Sequence, residues 1–545
     1  MCGIFSLINS SENNTENDIH KHISKNKKRG PEVEKCLCVN NNIFLAFHRL
    51  AINGIDESGD QPLLLNNNVI IGNGEIFNYK ELIQEHNLTP KSNSDIEVLL
   101  HLYEKYDIDF LNYITGEYSF ILYDDNKKKI IICRDQFGIR PLYYNFSNNN
   151  NMFCFSSTLS SIVDMNHFDN SQIQQFPPGC YMVLKEEFGY FIYEKIEKYI
   201  HLHNTVHYKN NVNTNLYNCL KDAVRKRVLT SERPVGALLS GGLDSSLICA
   251  LSQEILKEHG KESLHTFSIG LKNSEDLKHA ALVAGHIGSN HHEIIMTEKE
   301  FLDAIPNVIY DIESYDTTSV RASTGNWLIG KYIKENTDIK VILNGDGADE
   351  LMGGYLYFHK APNDYMFDYE CRRLLNDIHM YDVLRSDRSM ASHGIEPRTP
   401  MLDKDFVKMY LSVCLSERNH NNNIEKYLLR SVVFNENSLL LPNNVLWRQK
   451  EAFSDGVSSS VKSWFEIIQD DINERVETNE EIKNELKELK YPNHLNCDSN
   501  EKKYYYMIFN KFFNNCEHLI PYYWMPKFVH ATDCSARTLN EIYNA

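Results

Sequence analysis

The string Ser240-Gly-Gly-Leu-Asp-Ser-Ser246 constrains this chain more than any other stretch. The apolar run Val235-Gly-Ala-Leu-Leu239 leads into it and reads as a strand. After it, Leu247, Ala250, Leu251 and Ile255 recur at helical spacing, so the string occupies a strand-to-helix turn. Gly241 and Gly242 carry no Cβ, which lets backbone N–H groups turn inward and approach an anion. The helix start adds unpaired N–H groups and a positive dipole end. Ser240, Ser245 and Ser246 add hydroxyl donors. A bare Gly-Gly would be an ordinary turn; this longer arrangement is a phosphate cradle, although not of the Gly-x-x-x-x-Gly-Lys-Ser/Thr form.

Two further apolar segments, 264–269 and 339–343, alternate with helical patterns near 216–229, 274–288, 298–311 and 322–336. That alternation predicts an α/β unit: a parallel sheet covered by helices, with ligands collecting at the carboxyl ends of its strands. Those ends carry Ser240-Gly-Gly242, Ile269-Gly270 and Asn344-Gly-Asp-Gly-Ala-Asp-Glu350. A phosphate loop needs a counter-cation, and magnesium takes oxygens from one or two carboxylates plus phosphates. Asp244 and Asp349 are the candidate metal ligands. Beyond 470 the chain turns charged and then aromatic, which suggests a covering helix with a loose tail from about Ala531.

At 545 residues the chain has room for two to four domains. A net charge of −18 argues against non-specific binding to nucleic acid or anionic membranes. No apolar run approaches the ~20 residues of a spanning helix, and no basic region precedes the first apolar residues, so no signal peptide is expected. The 13 cysteines are scattered without a Cys-x-x-Cys pair, which suits reduced thiols and a cytoplasmic location.

The first 200 residues are different. Period-two apolar patterns over 116–123, 129–133, 142–146, 152–156 and 179–184, separated by Asn/Asp turns, predict antiparallel hairpins in an α+β unit. Residues 185–213 are polar and are the expected linker. Removal of Met1 would leave Cys2 with a thiol and an α-amine on one residue, and an amine of pKa about 7.7–8.0 can take the thiol proton. N-terminal nucleophile hydrolases use this arrangement. The strand-like Ile4 to Ile8 that follows would hold it in place.

Cys2-Gly3-Ile4, Arg29-Gly30-Pro31, His48-Arg49-Leu50, Asn73-Gly74-Glu75, Ser94-Asp95, Arg134-Asp135, Gly138 and Pro141-Leu142-Tyr143 together resemble the class II glutamine amidotransferase domain. The resemblance implies that Cys2 attacks the glutamine amide. Asn73 and the Gly74 N–H would form the oxyanion hole. Arg49 would pair with the glutamine α-carboxylate, and Asp95 with Glu75 would hold its ammonium. Backbone around Leu50, Ala51, Ile52 and Asn53 would complete the pocket. Lys28 stands where that family usually has His.

The Ser240–Ser246 string resembles the pyrophosphate loop of enzymes that cleave ATP to AMP and pyrophosphate, of the adenine-nucleotide α-hydrolase-like fold. Joined to the first unit, and with Tyr315-Asp316, Arg321-Ala-Ser323, the 353–363 and 379–382 strings, Arg398, Leu402-Asp403 and Trp447-Arg-Gln-Lys-Glu451, it is similar to the glutamine-hydrolysing asparagine synthetases. That likeness implies units over 2–200 and 214–545, the substrates glutamine, aspartate and ATP, magnesium, and a homodimer. Aspartate would be adenylated and ammonia would displace AMP. Leu239, Ile269, Asn344 and Gly345 would line the AMP site, while Ser240, Gly241, Gly242, Asp244, Ser245 and Ser246 hold pyrophosphate. Lys450 would neutralise phosphate charge. Thr318 and Arg321 would contact aspartate or its adenylate, and Asp346, one methylene shorter than the Glu of the bacterial pattern, would assist ammonia's attack. Ammonia would need an apolar tunnel between the sites. The alternatives are a synthetase adenylating another carboxylate, as the β-lactam-forming enzymes do, and a catalytically silent homologue. The presence of Cys2, Asp244 and Lys450 argues against both.

Overall fold

The computed structural model describes residues 1–10, 16–40, 42–202, 211–420, 424–449, 457–458 and 462–535. Strands β1 Gly3–Ile8, β2 Val33–Val39, β3 Ile43–Arg49, β4 Leu63–Leu65, β5 Asn68–Ile76 and β6 Gly116–Asp124 come first. They are followed by β7 Lys129–Arg134, β8 Tyr143–Ser147, β9 Met152–Ser156, β10 Gln174–Gln175, β11 Cys180–Glu187 and β12 Tyr190–Lys198. They build two antiparallel sheets, ordered β10-β8-β9-β1-β3-β2 and β12-β11-β7-β6-β5-β4.

Alternation explains how the sheets stack, because successive side chains point to opposite faces. Ile4 and Ile8 join Leu45, Phe47, Ile71 and Ile132 in the core between the sheets. Phe5 and Leu7 face the other way, into a cluster with Ile309 and Ile312 of the helix Glu298–Ile312. On the outer face of the second sheet, Ile70, Leu122 and Ile131 pack on Val98 and Leu102 of the helix Glu97–Tyr106. The layers therefore run helix, sheet, sheet, helix, and the fourth layer comes from the other half of the chain.

In that half, β13 Val235–Leu238, β14 His265–Leu271, β15 Asn290–Met296, β16 Val341–Leu343 and β17 Glu396–Arg398 form a parallel sheet ordered β15-β14-β13-β16-β17. The chain moves outward from β13 on one side and returns through β16 on the other. The switch point lies between β13 and β16, where an α/β sheet opens its binding crevice. The helices Val212–Leu229 and Leu243–Glu258 bury Leu220, Val224, Leu247 and Leu251 on one face. The helices Glu298–Ile312 and Thr317–Asn336 bury Ile305, Val308, Ile329 and Ile333 on the other.

The structure corrects the sequence reading at several places. The expected linker 185–213 contains β12, which pairs with β11 from Tyr190 to Lys198. As an edge strand it tolerates the charges that hid its pattern. β15 and β17 were not anticipated either; both are edge strands, and β17 is only Glu-Pro-Arg, with Pro397 in a position edges allow. In place of one covering helix the described residues form three, Trp464–Thr478, Glu480–Glu488 and Asn500–Phe512, which cap the apolar face with Trp464, Leu486, Tyr505 and Phe509. The segment after Ala531 is tied down as far as Ser535, which is buried. Among the described residues no helix is long and apolar enough to cross a membrane.

Within strand β5, position 74 excludes any side chain. Gly74 in β5 has φ +145°, and a Cβ there would lie 2.0 Å from the Glu117 carbonyl oxygen of β6. Gly74→Ala should destabilise the paired strands by roughly 2–4 kcal/mol, through backbone strain and overpacking. A lowered melting transition relative to wild type, with Gly285→Ala as a control whose Cβ meets nothing within 4 Å and whose φ is not left-handed, is the measurement.

Candidate active sites

The first site gathers around Cys2, which lies at the head of β1 and is 8% exposed. Its N–H donates to Asn73 Oδ1 at 3.0 Å, its Sγ faces the Leu50 carbonyl at 3.8 Å, and its carbonyl accepts from Arg29 Nε at 3.1 Å. Burial pushes the thiol up, against the N-terminal ammonium that lowers it. With Met1 in place that ammonium sits one residue away, in a fully buried ion pair of 2.6 Å with Glu396 Oε2. Burial alone would raise Glu396, yet the ammonium, Arg398 and Arg140 hold it down at about 2.

Behind Cys2, Asn53 donates to Glu75, and Arg398 Nη2 lies 3.4 Å from the same carboxylate. Asp95 sits two residues before the helix Glu97–Tyr106 and accepts from the Ile76 N–H at 2.7 Å. Burial first, then the charges of Asp95 and Glu396, raise Glu75 well above the usual range; burial and Glu396, against the Ile76 hydrogen bond, raise Asp95 to about 6. The structure thus brings Cys2, Leu50, Asn53, Asn73, Gly74, Glu75 and Asp95 together. The backbone of Ala51 is already engaged, its N–H by Glu32 at 2.6 Å and its carbonyl by Arg233 at 2.9 Å. The Ile52 carbonyl accepts from the Glu232 N–H.

Arg49 is not presented to a ligand as expected. Its guanidinium is taken by Asp60 Oδ1 at 2.5 Å, by the Asp56 carbonyl at 2.7 Å and by the carbonyls of Asn53 and Gly54. It braces the 53–60 loop from behind. Gly59 makes room for it, since a Cβ there would stand 2.4 Å from Arg49 Nη2.

The second site is a cavity of about 200 Å³ at the switch point of the parallel sheet. Leu239, Ser240, Gly242, Asp244, Ser245, Ile269, Thr318, Asn344, Gly345, Asp346 and Asp349 all line it. Ser240 N–H and Oγ both reach Ser245 Oγ, at 3.2 and 2.9 Å, so the two hydroxyls are held at the mouth of the loop. Gly241 has φ +75° and a Cβ there would lie 2.4 Å from His279 Cβ, so the turn requires glycine. Gly242 caps the helix Leu243–Glu258 without a side-chain hydrogen bond, which leaves its first N–H groups open to an anion. Gly345 passes close to the same helix start, its Cβ position 2.8 Å from Asp244 Cβ.

Three expectations change here. Arg321 points away from the cavity: Glu501 takes its Nε and Nη2 at 2.8 and 2.6 Å, and Asp533 takes Nη1 at 2.7 Å. It clamps the C-terminal helix and the 533–535 segment instead of waiting for a ligand. Gly241 and Ser246 support the loop without lining the cavity, Ser246 being fully buried. Asp244 and Asp349 do converge as expected of metal ligands, but on an ammonium: both carboxylates pair with Lys426. Gly354 lets that lysine pass, since a Cβ there would lie 2.1 Å from Lys426 Cε. Among the described residues no group of three His, Cys, Asp or Glu could hold a metal unaided. Lys450 lies outside the described residues.

Sequence reasoning missed Lys426, Arg385 and Arg430 on the cavity wall. Arg385 bridges Asp346 and Asp382, 2.9 Å from each. It follows Asp382 by one helical turn, a spacing that was available as a signal. Lys426 has none, for its partner Asp244 lies 182 residues away along the chain.

A buried seam lies between the two sites. Met1, Leu50, Ile52, Phe137 and Ile139 share one apolar cluster with Leu239, Leu343, Met401 and Leu402. Beside it run ion pairs: Arg29–Asp387 at 2.8 Å, Arg140–Asp387 at 3.1 Å, Arg140–Glu117 at 2.9 Å and Arg227–Glu117 at 3.0 Å. That apolar cluster is therefore bordered by charge.

A buried cysteine at the second position, on a two-sheet sandwich, and a pyrophosphate-type loop on a parallel sheet define an amidotransferase joined to a nucleotide-using synthetase. Residues 1–218 match the glutamine amidotransferase domain family, and residues 215–373 and 362–508 match the asparagine synthase family. Over the whole chain and the whole of each relative, it is 39% identical to the glutamine-hydrolysing asparagine synthetase of Gallus gallus and 38% identical to those of Cricetulus griseus and Homo sapiens. The chain belongs to the family of glutamine-hydrolysing asparagine synthetases.

The Lys426 arrangement gives a test without turnover. Lys426→Met leaves Asp244 and Asp349 as two like charges without their counter-cation, a loss on the order of 3–5 kcal/mol for a broken buried pair. The melting temperature should fall, and millimolar magnesium should restore part of it in the variant while moving wild type less.

Proposed function

We propose that the two sites act in series, the first releasing ammonia from glutamine and the second capturing it on activated aspartate. As a member of its family the chain makes asparagine by way of β-aspartyl-AMP, with glutamine as nitrogen donor. The observation that supports this most is the shared apolar cluster, which runs from Leu50 beside Cys2 to Leu239 and Leu343 beside the phosphate loop.

In the first half-reaction, removal of Met1 frees the Cys2 α-amine, which takes the thiol proton. The thiolate attacks the glutamine side-chain carbonyl. Asn73 Nδ2 and the Gly74 N–H hold the oxyanion, charge that exists only in the transition state. Ammonia leaves, and water hydrolyses the thioester to glutamate. Glu75 and Asp95 hold the substrate ammonium in the pocket walled by Leu50, Ala51, Ile52 and Asn53. Arg49 acts on that pocket by bracing its loop.

In the second, an oxygen of the aspartate β-carboxylate attacks the α-phosphorus of ATP and pyrophosphate leaves. Leu239, Ile269, Asn344 and Gly345 seat the nucleotide. The Ser240–Ser246 loop receives the pyrophosphate on its N–H groups and hydroxyls. Ammonia attacks the acyl carbon, AMP departs, and Asp346, oriented by Arg385, takes the proton. Thr318 lies on the cavity wall where aspartate would bind. Lys450 adds positive charge to the phosphates by family likeness. Asp244 and Asp349 suit magnesium, because their carboxylates already converge on one cationic position. Magnesium bound there would supply charge neutralisation for the departing pyrophosphate. The thirteen thiols are free, in keeping with a cytoplasmic protein.

Cys2→Ala should abolish glutamine-dependent asparagine formation and keep synthesis from ammonium salts. Loss of both in a folded variant would sink the series arrangement. A second outcome follows from Asp95. Its carboxyl, raised to about 6, must be ionised to hold the glutamine ammonium. KM for glutamine should therefore climb as pH falls through about 6, while ammonium-driven synthesis shows no such break. Asp95→Asn should raise KM and flatten that pH dependence.

A further inference from the structure

One wall of the nucleotide cavity comes from a segment that no motif singled out. Trp524 sits in irregular chain beyond the helix Asn500–Phe512, and it lines the cavity beside Tyr355 and Tyr381. Irregular chain is ordinarily the mobile part of a fold, but this stretch is pinned on both sides of the indole. The Trp524 N–H donates to Asp316 Oδ1 at 2.9 Å, and the Tyr522 carbonyl accepts from the Tyr381 hydroxyl at 2.7 Å. Asp316 is fully buried, and its other oxygen caps the helix Thr317–Asn336 by accepting the Ser319 N–H at 2.8 Å. One carboxylate therefore fixes both Trp524 and the helical turn that carries Thr318. Rings wedge the indole further: the Tyr355 ring centre is 5.1 Å from it, and Tyr357 stands edge-on at 6.2 Å.

Neighbouring side chains say which substrate meets this wall. Leu239 and Ile269 seat the nucleotide at the ends of β13 and β14, whereas Asp346, beyond β16, meets the acyl carbon. Trp524 is on the Asp346 side. Its neighbour Tyr355 reaches Glu350 through the hydroxyl, which also lies 3.4 Å from Asp382. Arg385 then joins Asp382 to Asp346. An indole has few rotatable bonds and a broad flat surface, so one held at its backbone and its ring is a rigid stop. Such a stop discriminates by length: a pocket sized for one acid disfavours the homologue with one more methylene by roughly 10–200-fold.

We propose that Trp524 is a specificity-determining residue of the synthetase site, closing its acyl end so that aspartate fits and the longer glutamate does not. The assignment rests on the two-site reading given above. That reading also shows why length matters, because the first site releases glutamate into the same protein. Were glutamate admitted, its γ-carboxylate would attack the α-phosphorus of ATP and expel pyrophosphate. Ammonia would then displace AMP and remake glutamine, consuming ATP for no product. A pocket too short for glutamate prevents that cycle.

The experiment follows pyrophosphate release by the full-length protein, with ammonium chloride as nitrogen donor and either L-aspartate or L-glutamate as the acid. Trp524→Ala should lower the aspartate-to-glutamate ratio of kcat/KM by about tenfold or more. KM for aspartate should rise while KM for ATP holds. Trp524→Phe keeps a smaller ring and should lower the ratio by a lesser factor. A merely structural role would shift both KM values together and leave the ratio alone. A wild-type ratio in Trp524→Ala, or in Trp524→Phe should the alanine variant fail to fold, would overturn the assignment while leaving the two-site reading in place. A wild-type protein that releases no pyrophosphate with aspartate would overturn both.

Discussion

The buried charges along the seam govern how the two halves of this protein meet. Glu396 of β17 takes the N-terminal ammonium, Arg398 of the same strand reaches Glu75, and Arg140 and Arg227 share Glu117. Desolvating so many ions is costly, and a paired set of this kind adds little net stability over an apolar seam. What it adds is register. Removing any one partner strands a buried charge at a cost of about 3–5 kcal/mol, so the two halves can dock in one way only. The apolar cluster beside the ion pairs provides the attraction, which by itself is indifferent to orientation.

That docking ties the sites mechanically. The Arg398 carbonyl accepts the Asn344 N–H at 3.1 Å, at the lip of the nucleotide cavity, while its side chain stands 3.4 Å from Glu75 in the cysteine pocket. Three residues of edge strand therefore touch both ends of the reaction. On the other flank, Arg29 donates to the Cys2 carbonyl and to Asp387, which also pairs with Arg140.

Close approaches do the remaining positioning. At Gly74, Gly241, Gly345 and Gly354 the backbone comes near enough to a neighbouring segment that a methyl group would collide with it. Each lies at or beside a residue expected to act: Asn73, Ser240, Asp346 and Asp349. Side chains set at the tips of such contacts lose little freedom on binding, which is how a preorganised site holds its geometry.

Both architectures were readable from the chain alone, and so were most of the residues that gather at the two candidate sites. Alternation, helical spacing and local strings such as Ser240–Ser246 and Asn73-Gly74-Glu75 act over a few residues, so their physics is contained in neighbouring positions. Edge strands β12, β15 and β17 were not readable, because an edge bears charges that erase the apolar pattern. Nor were the partners of long side chains. Arg49 and Arg321 looked like ligand contacts, yet Asp60 lies eleven residues from the first, and Glu501 and Asp533 lie 180 and 212 residues from the second. Lys426 between Asp244 and Asp349 is of the same kind. A charge announces in sequence that it needs a partner; which partner it finds is settled only when distant segments fold against one another.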